Sequence, residues 1–253
     1  MRKKFIAGNW KMNMSYQDSE QLVNRIGLNL NEHDYEKADV LVCPPFTSLS
    51  IVNEVLNNSE MMLGAQNLFY ENDGAYTGEI SASMLQSVGC KYVIVGHSER
   101  RQYFHETNEI VNRKVKKAFE FRLIPILCVG ESLEERENGE HKIIVKEQVI
   151  ACLENVGGDD IDHVIIAYEP VWAIGTGKTA SPAEAEEMHL HIRETLSELY
   201  GEEHSKKVRI LYGGSVKESN SEELLSQANI DGALIGGASL KPESFTEIIK
   251  SIK

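Results

Sequence analysis

Eight short apolar runs recur along the chain: Phe5–Ala7, Val40–Cys43, Met61–Gly64, Tyr92–Val95, Ile124–Val129, Val164–Ala167, Val208–Tyr212 and Ala233–Ile235. Each is bounded by turn residues and reads as a continuous apolar stretch rather than an alternating one, as parallel strands covered on both faces do. Helical spacing fills the intervals. Ser15 to Leu30 carries Leu22, Ile26 and Leu30 on one face, and Asn108 to Phe121 carries Val111, Val115, Ala118 and Phe119. Ser181-Pro182-Ala183-Glu184 is a helix start, with a hydroxyl cap, Pro at the first helical position and Glu completing a capping box. Eight units in 253 residues means about 32 residues each, close to one strand-helix repeat. No linker or low-complexity tract interrupts them, so the pattern predicts one catalytic-size domain over residues 1–253, a closed (β/α)8 barrel. An open doubly wound sheet is the alternative on pattern alone.

Charge narrows the function classes. With 26 Lys and Arg against 39 Asp and Glu, the formal net charge is −13, which argues against nucleic acid as a partner because phosphate-backbone binding needs clustered basic residues. A small anion held by local donors is still compatible. Cys43, Cys90, Cys128 and Cys152 are scattered with no CxxC pair, so neither a metal site nor a disulfide framework is suggested, and a reducing cytoplasm fits. The basic start of the chain is followed by too few apolar residues for a signal peptide, and no run approaches a membrane span.

In such barrels the chemistry sits where strands end, so the polar residues after each run are the candidates. The first run leads into Gly8-Asn9-Trp10-Lys11, an amide and an ammonium two residues apart, or else a turn Asn beside a surface Lys. The fourth leads into Gly96-His97-Ser98-Glu99-Arg100-Arg101. His97 opens a helical stretch, where the positive end of the helix would lower its pKa and favour neutral imidazole; a capping or core-satisfying His is the other reading. Glu99, Arg100 and Arg101 read as a structural ion-pair cluster. The sixth run ends in Tyr168-Glu169-Pro170, and a carboxylate there is expensive to bury unless paired or functional.

Val171-Trp172-Ala173-Ile174-Gly175-Thr176-Gly177 then places apolar side chains in a loop, bounded by Pro170 and by Lys178-Thr179-Ala180. The whole of Pro170 to Ala180 reads as a mobile lid with hinges at its two ends, or alternatively as a permanently packed connector. Gly177-Lys178-Thr179 imitates the end of a nucleotide-binding P-loop, but Trp172 stands where that motif needs its first glycine, so an ATP reading fails. After the seventh and eighth runs come Gly213-Gly214-Ser215 and Gly236-Gly237-Ala238-Ser239, paired glycine clusters of the kind that bind phosphate through backbone N–H groups.

Five segments make the pattern specific: Ala7 to Asn13, Gly96 to Arg101, Ala167 to Gly177, Tyr212 to Ser215 and Asp231 to Leu240. Through them, from Phe5 to the C-terminal helix, the chain closely resembles the triosephosphate isomerase family. The resemblance implies a (β/α)8 or TIM barrel, a homodimer, no cofactor and no metal, and interconversion of dihydroxyacetone phosphate and glyceraldehyde 3-phosphate in glycolysis and gluconeogenesis. It implies Glu169 as the base, His97 as a neutral proton donor, Lys11 and Asn9 at the substrate oxygens, and phosphate on the N–H groups of Gly175, Ser215, Gly236 and Gly237. Ser98 and Glu99 would be supporting residues, Glu99 near Lys11. The long segment Gln66 to Glu79, with Phe69, Tyr70 and Tyr76, looks like the family's interdigitating loop, its tip at Thr77 reaching a second copy near Asn9, Lys11 and Met14. Two departures stand out: Glu218 where the family often has Pro, and Leu211 where it often has Gln. Neither is expected to touch the chemistry. Two other classes are weighed against this reading, a Schiff-base aldolase using Lys11 as nucleophile and a non-catalytic phosphate-binding barrel.

Overall fold

A computed structural model of the chain describes residues 2–57, 59–174 and 179–253. Its eight strands are β1 (Lys4–Asn9), β2 (Ala38–Cys43), β3 (Met62–Ala65), β4 (Tyr92–Val95), β5 (Ile124–Val129), β6 (Ile165–Tyr168), β7 (Arg209–Tyr212) and β8 (Gly232–Ile235). All pair in parallel in sequence order, and β1 closes the barrel by pairing with both β2 and β8. The open-sheet alternative is thereby excluded. The apolar runs match these strands to within one or two residues at each end, β1 running on through Gly8 to Asn9.

The continuous runs conceal two alternating faces. Phe5, Ala7, Leu41, Cys43, Ile94, Ile126, Cys128, Ile165, Ala167, Leu211 and Leu234 fill the interior of the barrel. Ile6, Val40, Val42, Val93, Val95, Ile166 and Ile210 face outward, into a layer with Val23, Ile26, Val115, Ile192 and Ile248 of the surrounding helices. Because side chains alternate along a strand, Asn9 follows Phe5 and Ala7, and Glu169 follows Ile165 and Ala167, onto the inner face at the top of the barrel. Two polar groups are thus delivered to the same mouth from strands on different sides of it.

The helix starts are as the sequence indicates. The helix Tyr16–Asn29 is capped by Ser15, and Pro182–Tyr200 by Ser181, each with a complete capping box to Asp18 and Glu184. The helix Asn108–Glu120 starts behind Thr107, whose side chain accepts from the Ile110 N–H. Among the described residues no helix is long and apolar enough to cross a membrane.

Candidate active site

Glu169 is 2% exposed, and both its carboxylate oxygens are engaged. Oε1 lies 2.9 Å from His97 Nε2, and Oε2 accepts from the Ser98 N–H at 2.9 Å. Its backbone is fixed from both sides: Glu169 N–H donates to Val129 O at 2.7 Å, and Gly213 N–H donates to Tyr168 O at 2.7 Å. No larger residue fits beside it, since a Cβ on Gly130 would stand 1.8 Å from Glu169 O and one on Gly213 would stand 2.9 Å from Glu169 Cγ.

His97 caps the helix Ser98–Phe104. Its Nδ1 accepts from the Glu99 N–H at 3.2 Å, which puts the ring proton on Nε2, facing Glu169. That tautomer is the one a helix N-terminus selects. The direction of the pKa is not the one expected from the helix alone. Burial pulls it down, but the Glu169 carboxylate on Nε2 outweighs burial, and the pKa stands above the ordinary histidine value. Burial in turn pushes the Glu169 pKa up, while His97, the Ser98 N–H and Lys11 together hold it below the ordinary range. Once Glu169 is protonated, the charge that raises the His97 pKa is gone.

Lys11 follows β1 with a left-handed backbone, φ 53°, uncommon for a side-chain-bearing residue and found where a site over-determines it. Its N–H is held by Asn9 Oδ1 at 3.0 Å, and its carbonyl accepts from Gln66 Nε2 at 2.8 Å. The ammonium lies 2.6 Å from Glu99 Oε1. Sequence reasoning gave Gln66 no role in this site, although it clamps Lys11 and also donates to Cys43 O at 2.9 Å. Nothing in the local sequence marks it.

A cavity of about 540 Å³ opens above these groups, bounded by Asn9, Lys11, His97, Glu169, Ile174, Ser215, Gly236 and Gly237. Among the described residues, the N–H groups of Ser215, Gly236 and Gly237 donate to no acceptor, and a Cβ on Gly237 would meet nothing within 4 Å. Unused donors beside open space are a geometry able to receive an anion. Glu218, set aside above as a departure outside the chemistry, also borders this cavity, whereas Leu211 is sealed inside the barrel.

Behind Glu169, Val171–Ala173 form a single 3-10 turn, with Val171 half-buried, Ala173 buried and Ile174 at the cavity. Trp172 Nε1 donates to Glu131 Oε1 at 2.9 Å, and the same oxygen accepts from Tyr168 Oη at 3.0 Å and Arg136 Nη1 at 3.0 Å. Glu131 is fully buried and was missed by the sequence reading; its position just after a strand end was the available signal. At the far end, Thr179 is exposed and Ala180 buried. Gly175, Thr176, Gly177 and Lys178, including the Gly175 phosphate donor expected above, lie outside the described residues. Met14 is half-buried with φ 74°, and Thr77 is exposed on its loop. Among the described residues no group of three or more His, Cys, Asp or Glu side chains is placed to hold a metal.

A buried carboxylate and imidazole in contact, beneath unused backbone N–H groups at the mouth of a closed parallel barrel, are the equipment of a barrel enzyme that moves protons on a small molecule. Comparison with known proteins narrows the class: the family model described as triosephosphate isomerase matches residues 4–252. Similar proteins include the triosephosphate isomerases of Dictyoglomus turgidum, 52% identical over 99% of this chain and 100% of the relative, and of Alkaliphilus oremlandii, 54% identical over 98% and 99%. That of Chloroherpeton thalassium is 54% identical over 99% of both. The chain belongs to the triosephosphate isomerase family.

Proposed function

We propose that this chain is a cofactor-independent aldose-ketose isomerase that interconverts dihydroxyacetone phosphate and D-glyceraldehyde 3-phosphate, a step of glycolysis and gluconeogenesis. The observation that carries the mechanism is the 2.9 Å contact of Glu169 with His97 Nε2 at the floor of a cavity whose far wall is the donor set of Ser215, Gly236 and Gly237. Phosphate on those N–H groups anchors the substrate with its carbonyl carbon and the adjacent carbon over the two catalytic side chains. Glu169 leaves His97 and removes a proton from carbon, while the released Nε2–H of His97 donates to the oxygen on which negative charge develops. Lys11 and Asn9 add positive potential and a donor at the substrate oxygens, an effect commonly worth several kcal/mol. His97 passes its Nε2 proton to the oxygen that has gained negative charge and regains one from the hydroxyl of the deprotonated carbon, and Glu169 then returns its proton to the neighbouring carbon, so carbonyl and hydroxyl have exchanged places. The base contributes roughly 10²–10⁴-fold. Ser98 and Glu99 support the site by holding Glu169 and Lys11. The segment Pro170 to Ala180 acts as a lid that shields the charged intermediate from water.

The same reading makes the enzyme a homodimer. Met12 is 96% exposed, Tyr103 65% and Phe104 63%, and with Phe46 they border a second cavity, of about 490 Å³, beside Lys11. The loop from Gln66 to Glu79 carries Thr77 beside a cluster of tilted rings, the centroid of Phe69 lying 4.4 Å from that of Tyr70 and 4.7 Å from that of Tyr76. Such a loop from a second copy would fill that cavity and buttress Lys11. Four free, buried cysteines suit a cytoplasmic setting. The purified chain tested with glyceraldehyde 3-phosphate and borohydride separates this reading from an aldolase: isomerisation without trapping at Lys11 is expected, and a borohydride-stable adduct would overturn it.

A further inference from the structure

The cavity continues past the phosphate donors on the β7–β8 side, away from His97, and there Lys217, Glu218, Lys241 and Ser244 border it. At about 540 Å³ the whole space suits a ligand larger than a three-carbon monophosphate. Lys217 and Glu218 follow Ser215, in a loop shaped by Asn220, whose Oδ1 accepts from the Lys217 N–H at 2.8 Å and whose Nδ2 donates to Ser215 O at 3.2 Å. Lys241 and Ser244 lie where the turn Gly237–Leu240 passes into the helix Pro242–Lys250. One piece of backbone therefore carries a phosphate donor and a lysine on each side of the cavity. Neither ammonium forms an ion pair within 4.0 Å among the described residues, whereas Lys11, Lys142, Lys146 and Lys206 each do. The Ser244 hydroxyl and the Glu218 N–H bond the Glu218 carboxylate, and these bonds, with the more distant Lys241 and Lys217, hold its pKa below the ordinary carboxylate value.

We infer that Lys217, Lys241 and Ser244 form a second anion subsite contiguous with the first, which takes the far phosphate of a small bis-phosphorylated molecule and makes such molecules selective competitive inhibitors. The inference rests on the phosphate assignment to Ser215, Gly236 and Gly237. Glu218 tempers the subsite: its negative charge lies among the two ammonium groups, so the isomerase is not saturated by every polyanion present. In a chain whose net charge is −13, two unpaired lysines at the mouth of one cavity also concentrate an anion where it is used.

The test measures inhibition of isomerisation by propane-1,3-diol monophosphate and by the matching bisphosphate, which differ only in the second phosphate. The bisphosphate is expected to bind on the order of tenfold more tightly, the sum of two partly exposed charge pairs. That ratio should fall to less than about threefold in K217Q/K241Q and should rise in E218Q. A control variant, K91Q/K250Q, removes the same charge from the opposite end of the barrel and should leave the ratio unchanged. Three results overturn the subsite: no advantage for the bisphosphate, an advantage that survives K217Q/K241Q, or an equal loss in K91Q/K250Q. Failure of the monophosphate itself to compete would instead count against the phosphate assignment beneath it.

Discussion

Gly130→Ala isolates the placement of Glu169 from its chemistry. The added methyl would stand 1.8 Å from the Glu169 carbonyl oxygen and 2.7 Å from its carbonyl carbon. An unstrained carbon-to-oxygen contact needs roughly 3.3–3.6 Å, so the Glu169 backbone must recede by about 1.5 Å. It cannot do so freely, because Glu169 N–H is bonded to Val129 O and the preceding carbonyl to Gly213 N–H. Overpacking of this kind destabilises by about 1–3 kcal/mol, which in a chain of this length lowers Tm by roughly 2–12 °C. The effect on rate should be larger in proportion, because a misplacement of about 1 Å can reduce turnover on the order of 10²-fold. The assay is kcat and KM from a coupled isomerisation assay at a temperature well below the melt, with a thermal melt on the same sample. Gly157→Ala serves as the control, since its Cβ would meet nothing within 4 Å. The expected outcome is a fall in kcat of about 10²-fold with KM changed little. A variant that melts lower yet keeps kcat within threefold of the parent would refute the argument that this glycine sets the position of the base.

Three further outcomes follow from the same geometry. Gly237→Ala keeps the backbone N–H and has open space for its methyl, so the melt should hold while the methyl crowds the phosphate and KM rises roughly 10-fold; an unchanged KM would count against phosphate packing on Gly237. His189, buried between Tyr168 and Tyr212 with its Nδ1 bonded to Ala185 O, has its pKa pushed down to about 4 by burial. A histidine lowered in the folded state contributes stability that is complete above its ordinary pKa and lost as pH falls toward the folded value, so stability should drop by about 3 kcal/mol between pH 6.5 and 4 through this group. Denaturant titrations across that window should show the slope reduced in His189→Gln, and parallel curves would exclude it. Sedimentation should find a dimer at micromolar concentration, and a fully active monomer would contradict the role given to the loop carrying Thr77.

The barrel was legible because period and register coincide in parallel strands: Phe5, Ala7 and Asn9, or Ile165, Ala167 and Glu169, are spaced to share a face whatever their partners are. The candidate residues were legible because they sit at strand ends, where a polar group after an apolar run stands out. What was not legible is what depends on a distant segment. Glu131 gathers Tyr168, Trp172 and Arg136 across some 40 residues of chain, and Gln66 reaches Lys11 across 55 positions. Gly130 follows β5, and only its approach to the Glu169 carbonyl shows why no side chain fits there. The pKa of His97 was misjudged for the same reason. The helix end beside it can be read from adjacent residues, but the Glu169 carboxylate that outweighs burial arrives from the end of β6.

The most direct test of the account is the isomerisation rate of Glu169→Gln measured beside that of the parent chain under saturating glyceraldehyde 3-phosphate. Gln keeps the shape and can still accept from Ser98 N–H, but it cannot take a proton from carbon. The account predicts a fall in kcat on the order of 10²–10⁴-fold with the melt retained and KM within a few-fold. A Glu169→Gln enzyme that turns over within tenfold of the parent would contradict the assignment of Glu169 as the base, and with it the mechanism built on its contact with His97.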